Sequence, residues 1–193
     1  DELSATQAQA STSGNDLNNL IIGGGQADEL YGLGGDDILV GGGGADILSG
    51  GAGVDTADYS SAGFDARMNQ GVIVNLTSGK NKGSDAEGDR LIDIENVRGS
   101  QFADTIVGNN DANHLWGELG DDSLSGNAGN DALDGGGGSD QIRGGAGFDT
   151  LIGGAGSDLF LFDGANEISA RIGGQWLSDV ILDFDAGGAS ANS

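Results

Sequence analysis

One oxygen-bearing side chain recurs every nine residues along two stretches of this chain. From Gly99 to Leu161 the blocks read GSQFADTIV, GNNDANHLW, GELGDDSLS, GNAGNDALD, GGGGSDQIR, GGAGFDTLI and GGAGSDLFL, with no insertion. Gly holds the first position throughout, and the sixth positions are Asp104, Asn113, Asp122, Asp131, Asp140, Asp149 and Asp158. From Gly14 to Asp58 the same phase reads GNDLNNLII, GGGQADELY, GLGGDDILV, GGGGADILS and GGAGVDTAD, with Asn19, Asp28, Asp37, Asp46 and Asp55 in the sixth position. Oxygen is almost the only ligand chemistry on offer, since the chain has one His and no Cys. That suits a hard cation with about six to eight oxygen ligands, Ca²⁺ before Zn²⁺. Glycine reaches positive φ without steric cost, so turn carbonyls can be aimed at the same ion.

Such a column of side chains needs a scaffold that repeats with it. The eighth position is apolar: Ile21, Leu30, Leu39, Leu48 and Ala57, then Ile106, Leu115, Leu124, Leu133, Ile142, Leu151 and Phe160. Each block is therefore a tight turn followed by a very short strand whose middle residue points inward. If successive strands alternate sides, two blocks complete one coil, and turns i and i+2 become neighbours on one edge. The remaining segments read as a flexible lead-in over 1–13, a spacer over 59–98, a cap over 162–185 and a frayed tail over 186–193. Within the spacer, GVIVNL (Gly71 to Leu76) and LIDIENV (Leu91 to Val97) alternate as strands do. The cap is the densest apolar part of the C-terminal region, as the open end of a solenoid requires. The spacer's 40 residues are not a multiple of nine. The arrays form either two rolls or one roll whose insert restores the stacking.

Bulk properties agree with a cation binder and exclude several other classes. Thirty-one acids against seven basic residues give a formal charge of −24, which opposes nucleic acid and anionic membrane surfaces. An apolar content of 36% with 5% aromatics is thin for a compact core, and 40 glycines with no proline demand many unusual turns. No apolar run approaches the ~20 residues of a membrane span. The chain opens on Asp1 and not Met, and reads as a processed or excised segment of something larger.

On these residues the chain resembles the RTX, or repeats-in-toxin, family over Gly14 to Asp58 and Gly99 to Leu161. The spacer is similar to those between RTX arrays of large secreted bacterial proteins. The resemblance implies an all-β, right-handed parallel β-roll of two arrays, with each ion held by Asp side chains and turn carbonyls of blocks i and i+2. Carried onto this sequence, the pairs are Asp28 with Asp46, Asp37 with Asp55, Asp104 with Asp122, Asp122 with Asp140, Asp140 with Asp158, and Asp131 with Asp149. Asn19 with Asp37 and Asn113 with Asp131 are weaker, because an amide brings an oxygen without charge. The carbonyl-bearing turn glycines are Gly42, Gly44, Gly51, Gly53, Gly136, Gly138, Gly145, Gly147, Gly154 and Gly156. About six to eight ions are expected, one per stacked pair of turns. The resemblance also implies a non-catalytic module that leaves a Gram-negative bacterium by type I secretion, disordered at cytosolic calcium and folded outside. Its host is an adhesin, toxin or secreted enzyme.

A second reading is a calcium-dependent module that binds polysaccharide or a cell surface. Tyr31 and Trp116 share the outward ninth position; a sugar platform is conceivable there, but aromatics covering the roll are the expectation. His114 falls on the outward seventh position and reads as a surface histidine. Asp85, Glu87 and Asp89 are either a polar loop or an additional ion site, and Lys80 and Lys82 are solvated charges. No Ser/His/Asp set, paired-carboxylate cleft or nucleotide loop can be argued, since the roll already accounts for the glycines.

Overall fold

Each nine-residue block contributes one short strand centred on its eighth position, because that is where the apolar residue can be buried while its neighbours face out. In the computed structural model these strands stack into a parallel β-solenoid of about eight turns. The structure describes residues 2–4, 11–162, 170–172, 175–177 and 179–183. The first array spans β1 (Glu2–Ser4), β2 (Ser11–Ser13), β3 (Leu20–Gly24), β4 (Glu29–Gly34), β5 (Ile38–Gly42), β6 (Ile47–Ala52) and β7 (Thr56–Asp58). β8 (Ile73–Asn75), β9 (Arg90–Ile92) and β10 (Asn96–Arg98) belong to the spacer. The second array runs through β11 (Thr105–Val107), β12 (His114–Trp116), β13 (Ser123–Ala128), β14 (Ala132–Gly138), β15 (Gln141–Ala146), β16 (Thr150–Gly156) and β17 (Leu159–Phe160). β18 (Ala170–Ile172), β19 (Gln175–Leu177) and β20 (Val180–Ile181) follow. Apart from a 3₁₀ turn at Ser84–Ala86, the described residues contain no helix, and none long and apolar enough to cross a membrane.

Within each array the strands pair at a separation of 18 residues, as Leu39 with Ile21 and Leu133 with Leu115. Two blocks therefore make one coil. The same register includes β1 and β2, so the stretch read as a lead-in contributes two strands, Leu3 opposite Ile21 and Thr12 opposite Leu30. Position eight forms the core. Ile21, Leu30, Leu39, Leu48, Ile106, Leu115, Leu124, Leu133, Ile142 and Leu151 are all essentially inaccessible to solvent.

The spacer joins the two arrays into one roll. On one side a nine-stranded sheet, β1-β3-β5-β7-β10-β12-β14-β16-β20, passes through it unbroken, with Val97 of β10 between Ala57 and Leu115. On the other side the sheet divides into β2-β4-β6-β9 and β17-β15-β13-β11-β8. After β7 the chain runs ahead to lay β8 beside β11, then returns to place β9 on β6. Tyr59, Ala62, Val72, Val74, Ala86 and Ile94 fill the core at this level, where Ala57 is the smallest position-eight residue. The Tyr59 ring is buried, and its hydroxyl donates to Asp89 Oδ2 at 2.9 Å.

In the stretch read as a cap, β18 and β19 pair antiparallel, and β20 adds to β16 with Ile181 opposite Leu151. Residues 163–169, 173–174, 178 and 184–185 of that stretch, and the tail 186–193, lie outside the described residues.

Candidate metal centre

Tight stacking of the turns decides which oxygens are available. Gly42, Gly51, Gly136, Gly145 and Gly154, at position two, have φ of 81° to 108°, and Gly44, Gly53, Gly138, Gly147 and Gly156, at position four, have φ of 145° to 152°. A methyl group on any of the ten would meet a backbone carbonyl of the turn 18 residues earlier: Gly136 meets the Glu118 carbonyl and Gly138 that of Gly120. In these turns position four therefore needs glycine for its φ and for the lack of room. Position two is more tolerant, because Leu33, Glu118 and Asn127 reach φ of 75° to 80° there. The carbonyls turned toward the next turn therefore include those of Leu33, Gly35, Glu118, Gly120, Asn127 and Gly129, which the glycine pattern did not single out. A main-chain oxygen depends on the turn's conformation and not on its side chain, so only position in the block could have identified them.

The sixth positions form a ladder along each edge. The Asn19 N–H donates to Asp37 Oδ1, Asp28 to Asp46, Asp37 to Asp55, Asp104 to Asp122, Asn113 to Asp131, Asp122 to Asp140, Asp131 to Asp149 and Asp140 to Asp158, all at 2.7–3.0 Å. All eight i, i+2 pairs named from sequence are thus brought together. Position five forms a second ladder of opposite direction, in which side chains of Asn18, Asp36, Asp121 and Asn130 accept from the following turn. Three residues outside the phase take the sixth-position role. Asp89 accepts from the Asp46 N–H, Glu95 from Asp55 and Asp179 from Asp149. Asp89 is one of the three spacer acids, but its spacing in the sequence does not mark it for this role.

The second oxygen of each sixth residue divides the turns into two kinds. In turns 14–19, 23–28, 99–104 and 108–113 position four is Leu17, Gln26, Phe102 or Asp111. There the position-two N–H closes back on the turn's own sixth side chain: Asn15 on Asn19, Gly24 on Asp28, Ser100 on Asp104 and Asn109 on Asn113. Where position four is Gly the turn opens. Oδ2 of Asp37, Asp46, Asp55, Asp122, Asp131 and Asp140 is then buried without a hydrogen-bond partner. A methyl group on Gly32, Gly117, Gly126 or Gly135 would meet both that Oδ2 and the position-one carbonyl of the next turn. The same cradle of carboxylate and carbonyl faces Gly23 and Gly99 in the closed turns, where that oxygen is already bonded; the open turns differ in leaving it unpartnered beside the carbonyl.

Burial without a counter-charge raises these carboxyls. Desolvation pushes Asp46, Asp55, Asp131 and Asp140 up to about 6 and Asp122 to about 8, with like charge from neighbouring acids adding to it. Asp37 is raised for the same reason. A cation lying beside Oδ2 removes that penalty, and the donors are all hard oxygens, so the residues fit Ca²⁺. Among the described residues no three His, Cys, Asp or Glu side chains converge as a metal cluster, which leaves carboxylate pairs plus carbonyls as the donor set.

Of the other side chains singled out by type, Tyr31 donates to Glu29 at 3.1 Å. His114 is half-buried and stacks on Trp116 with ring centroids 3.6 Å apart, and its basicity is lowered by burial. Arg98 lies over the same indole at 5.4 Å. Asp85, Glu87 and Asp89 do not share one site, because Asp89 is held by Tyr59 and the Asp46 N–H.

Comparison with curated proteins finds no match. The family model described as the RTX calcium-binding nonapeptide repeat matches four times, over residues 13–48, 22–57, 98–133 and 134–166. These matches cover both sets of stacked turns and more than half of the chain, and on that footing the protein belongs to the RTX calcium-binding nonapeptide repeat family.

Proposed function

We propose that calcium is the folding ligand of this module, which is disordered without it and assembles into the roll outside the cell. The calcium-binding repeat domain is itself non-catalytic, and RTX repeats are typical of secreted bacterial proteins. The observation that carries the reading is the row of buried, unpartnered Oδ2 atoms. Each is costly in a metal-free fold and becomes a ligand once the ion arrives. Charge acts the same way, since about six to eight Ca²⁺ would offset half or more of the net −24. Sites of roughly 10⁻⁴ to 10⁻³ M affinity separate extracellular from cytosolic calcium, so an unfolded chain could pass a type I export channel and fold on exit. The module would then stabilise a larger adhesin, toxin or secreted enzyme.

Hydrodynamic size tests this directly. In chelator the radius of gyration should approach about 47 Å, the unfolded value for a chain of this length, and in millimolar calcium fall to roughly 16–20 Å. A compact roll at both conditions would remove the folding role. The polysaccharide or surface-adhesion reading has less support, because the Trp116 ring already carries His114 and Arg98.

A further inference from the structure

We infer that the spacer builds its own divalent-cation site, of the calcium class, between Asp55, the Asp93 carbonyl and Glu95, linking the last turn of the first array to the insert. This rests on the reading that open turns hold calcium. Turn 50–55 is open: Gly51 and Gly53 have φ of 108° and 149°, and Asp55 Oδ2 is fully buried without a partner. In the regular repeat its next neighbour would lie 18 residues on. Here it is the three-residue connection between β9 and β10, residues 93–95.

That connection reproduces the regular cradle with residues that have no place in the nonapeptide. A methyl group on Gly50 would meet the Asp93 carbonyl oxygen and Asp55 Oδ2, just as one on Gly32 meets the Gly50 carbonyl and Asp37 Oδ2. Asp93 presents this carbonyl from a left-handed conformation, φ 50°. Glu95 supplies the partner carboxylate: its Oε2 accepts the Asp55 N–H at 2.8 Å, the bond that Asp55 itself makes to Asp37. The Glu95 main chain is fixed from both sides, its N–H donating to the Asp55 carbonyl at 3.1 Å and its carbonyl accepting from Asn113 Nδ2 at 2.8 Å. Asp93 and Glu95 also border a cavity of about 150 Å³ on the side of the next turn, shared with Leu76, Leu91, Ile94, Asn109 and Asp111. On the opposite edge Asp46 Oδ2 is likewise unpartnered, but the second oxygen of its partner Asp89 is taken by the Tyr59 hydroxyl, and the atoms nearest a methyl group on Gly41 are all those of Asp46 itself. The insert thus offers a partner carboxylate with an uncommitted oxygen and a facing carbonyl on the Asp55 edge, whereas on the Asp46 edge its carboxylate is committed to Tyr59.

Calcium stoichiometry of the full chain, by equilibrium dialysis and metal analysis, tests this with calcium alone as the probe. Glu95→Gln keeps an oxygen for the Asp55 N–H and removes the charge; it should bind one ion fewer per chain than wild type. Asp93→Asn, which tolerates the left-handed backbone and leaves the carbonyl in place, should bind the wild-type number. Equal uptake by wild type and Glu95→Gln, at equal affinity, would overturn the junction site while leaving calcium in the repeats intact. No uptake by wild type would overturn both. Should Glu95→Gln not fold in saturating calcium, anomalous scattering from wild-type crystals grown in calcium decides. A peak about 2.3–2.6 Å from the Asp55 and Glu95 oxygens supports the site, and no peak there overturns it.

Discussion

A sixth-position carboxylate has two oxygens with different duties. One holds the N–H of the preceding turn and so works in any turn; the other is closed on its own turn or left for a cation, depending on whether position four is glycine. Asp131→Asn keeps the ladder bond to Asn113 but leaves a neutral oxygen in an open turn, so calcium affinity at that gap should fall on the order of tenfold. Asp28→Asn, in a turn already closed by Gly24, should leave the titration nearly unchanged. Calcium binding isotherms of the two variants separate these outcomes. Proton linkage gives a second expectation. The folded-state values of about 6 for Asp46, Asp55, Asp131 and Asp140 and about 8 for Asp122 lie above the unfolded value near 4, so the metal-free roll binds the extra protons. Their contribution to metal-free stability is complete below about pH 4 and is lost as pH rises through 6 to 8. In chelator, the β signal should therefore be larger at pH 5 than at pH 7.5. Calcium affinity should run the other way, and uptake near pH 6 should release protons, seen as a buffer-dependent heat.

At the level of the elements, each coil stands on one inward residue per strand and on turns with no spare room. Leu124→Ala should cost about 2–5 kcal/mol in the calcium-loaded state, because its site is sealed on both sides by Ile106 and Ile142. Gly138→Ala should cost more than about 3 kcal/mol, since φ of 148° and the Gly120 carbonyl both exclude a methyl group. Thermal melts in saturating calcium measure both. The strands, the inward column and the i, i+2 contacts were legible because a nine-residue phase fixes all three at once. The carbonyls of Leu33 and Glu118 were not, because a backbone oxygen leaves no mark on residue type. Asp89, Glu95 and Asp179 were hidden for another reason: chain geometry and not phase carries them into the column. Whether the arrays stack as one roll also could not be read, since a 40-residue insert is compatible with either outcome until Val97 is seen between Ala57 and Leu115.

The whole molecule is a column of like charges beside a column of aliphatic side chains. Nine strands at about 4.8 Å spacing make a rod of roughly 40 Å, on which a chain of net charge −24 is concentrated. Self-repulsion and the buried carboxylates both oppose that rod, and cations between the turns relieve both. Because the nine-stranded sheet is continuous through the spacer, protection should not drop at the junction. Amides of Thr56–Asp58 and Asn96–Arg98 should resist hydrogen exchange in calcium as strongly as those of β14 and β16. The most direct measurement is a calcium titration of the metal-stripped chain with ion uptake and far-ultraviolet circular dichroism recorded on one sample. A coil signal that becomes β in step with uptake is the expected result. Uptake onto a β signal already present in chelator at pH 7.5, where the carboxyl protons no longer support the metal-free roll, would contradict the claim that calcium binding is the folding step.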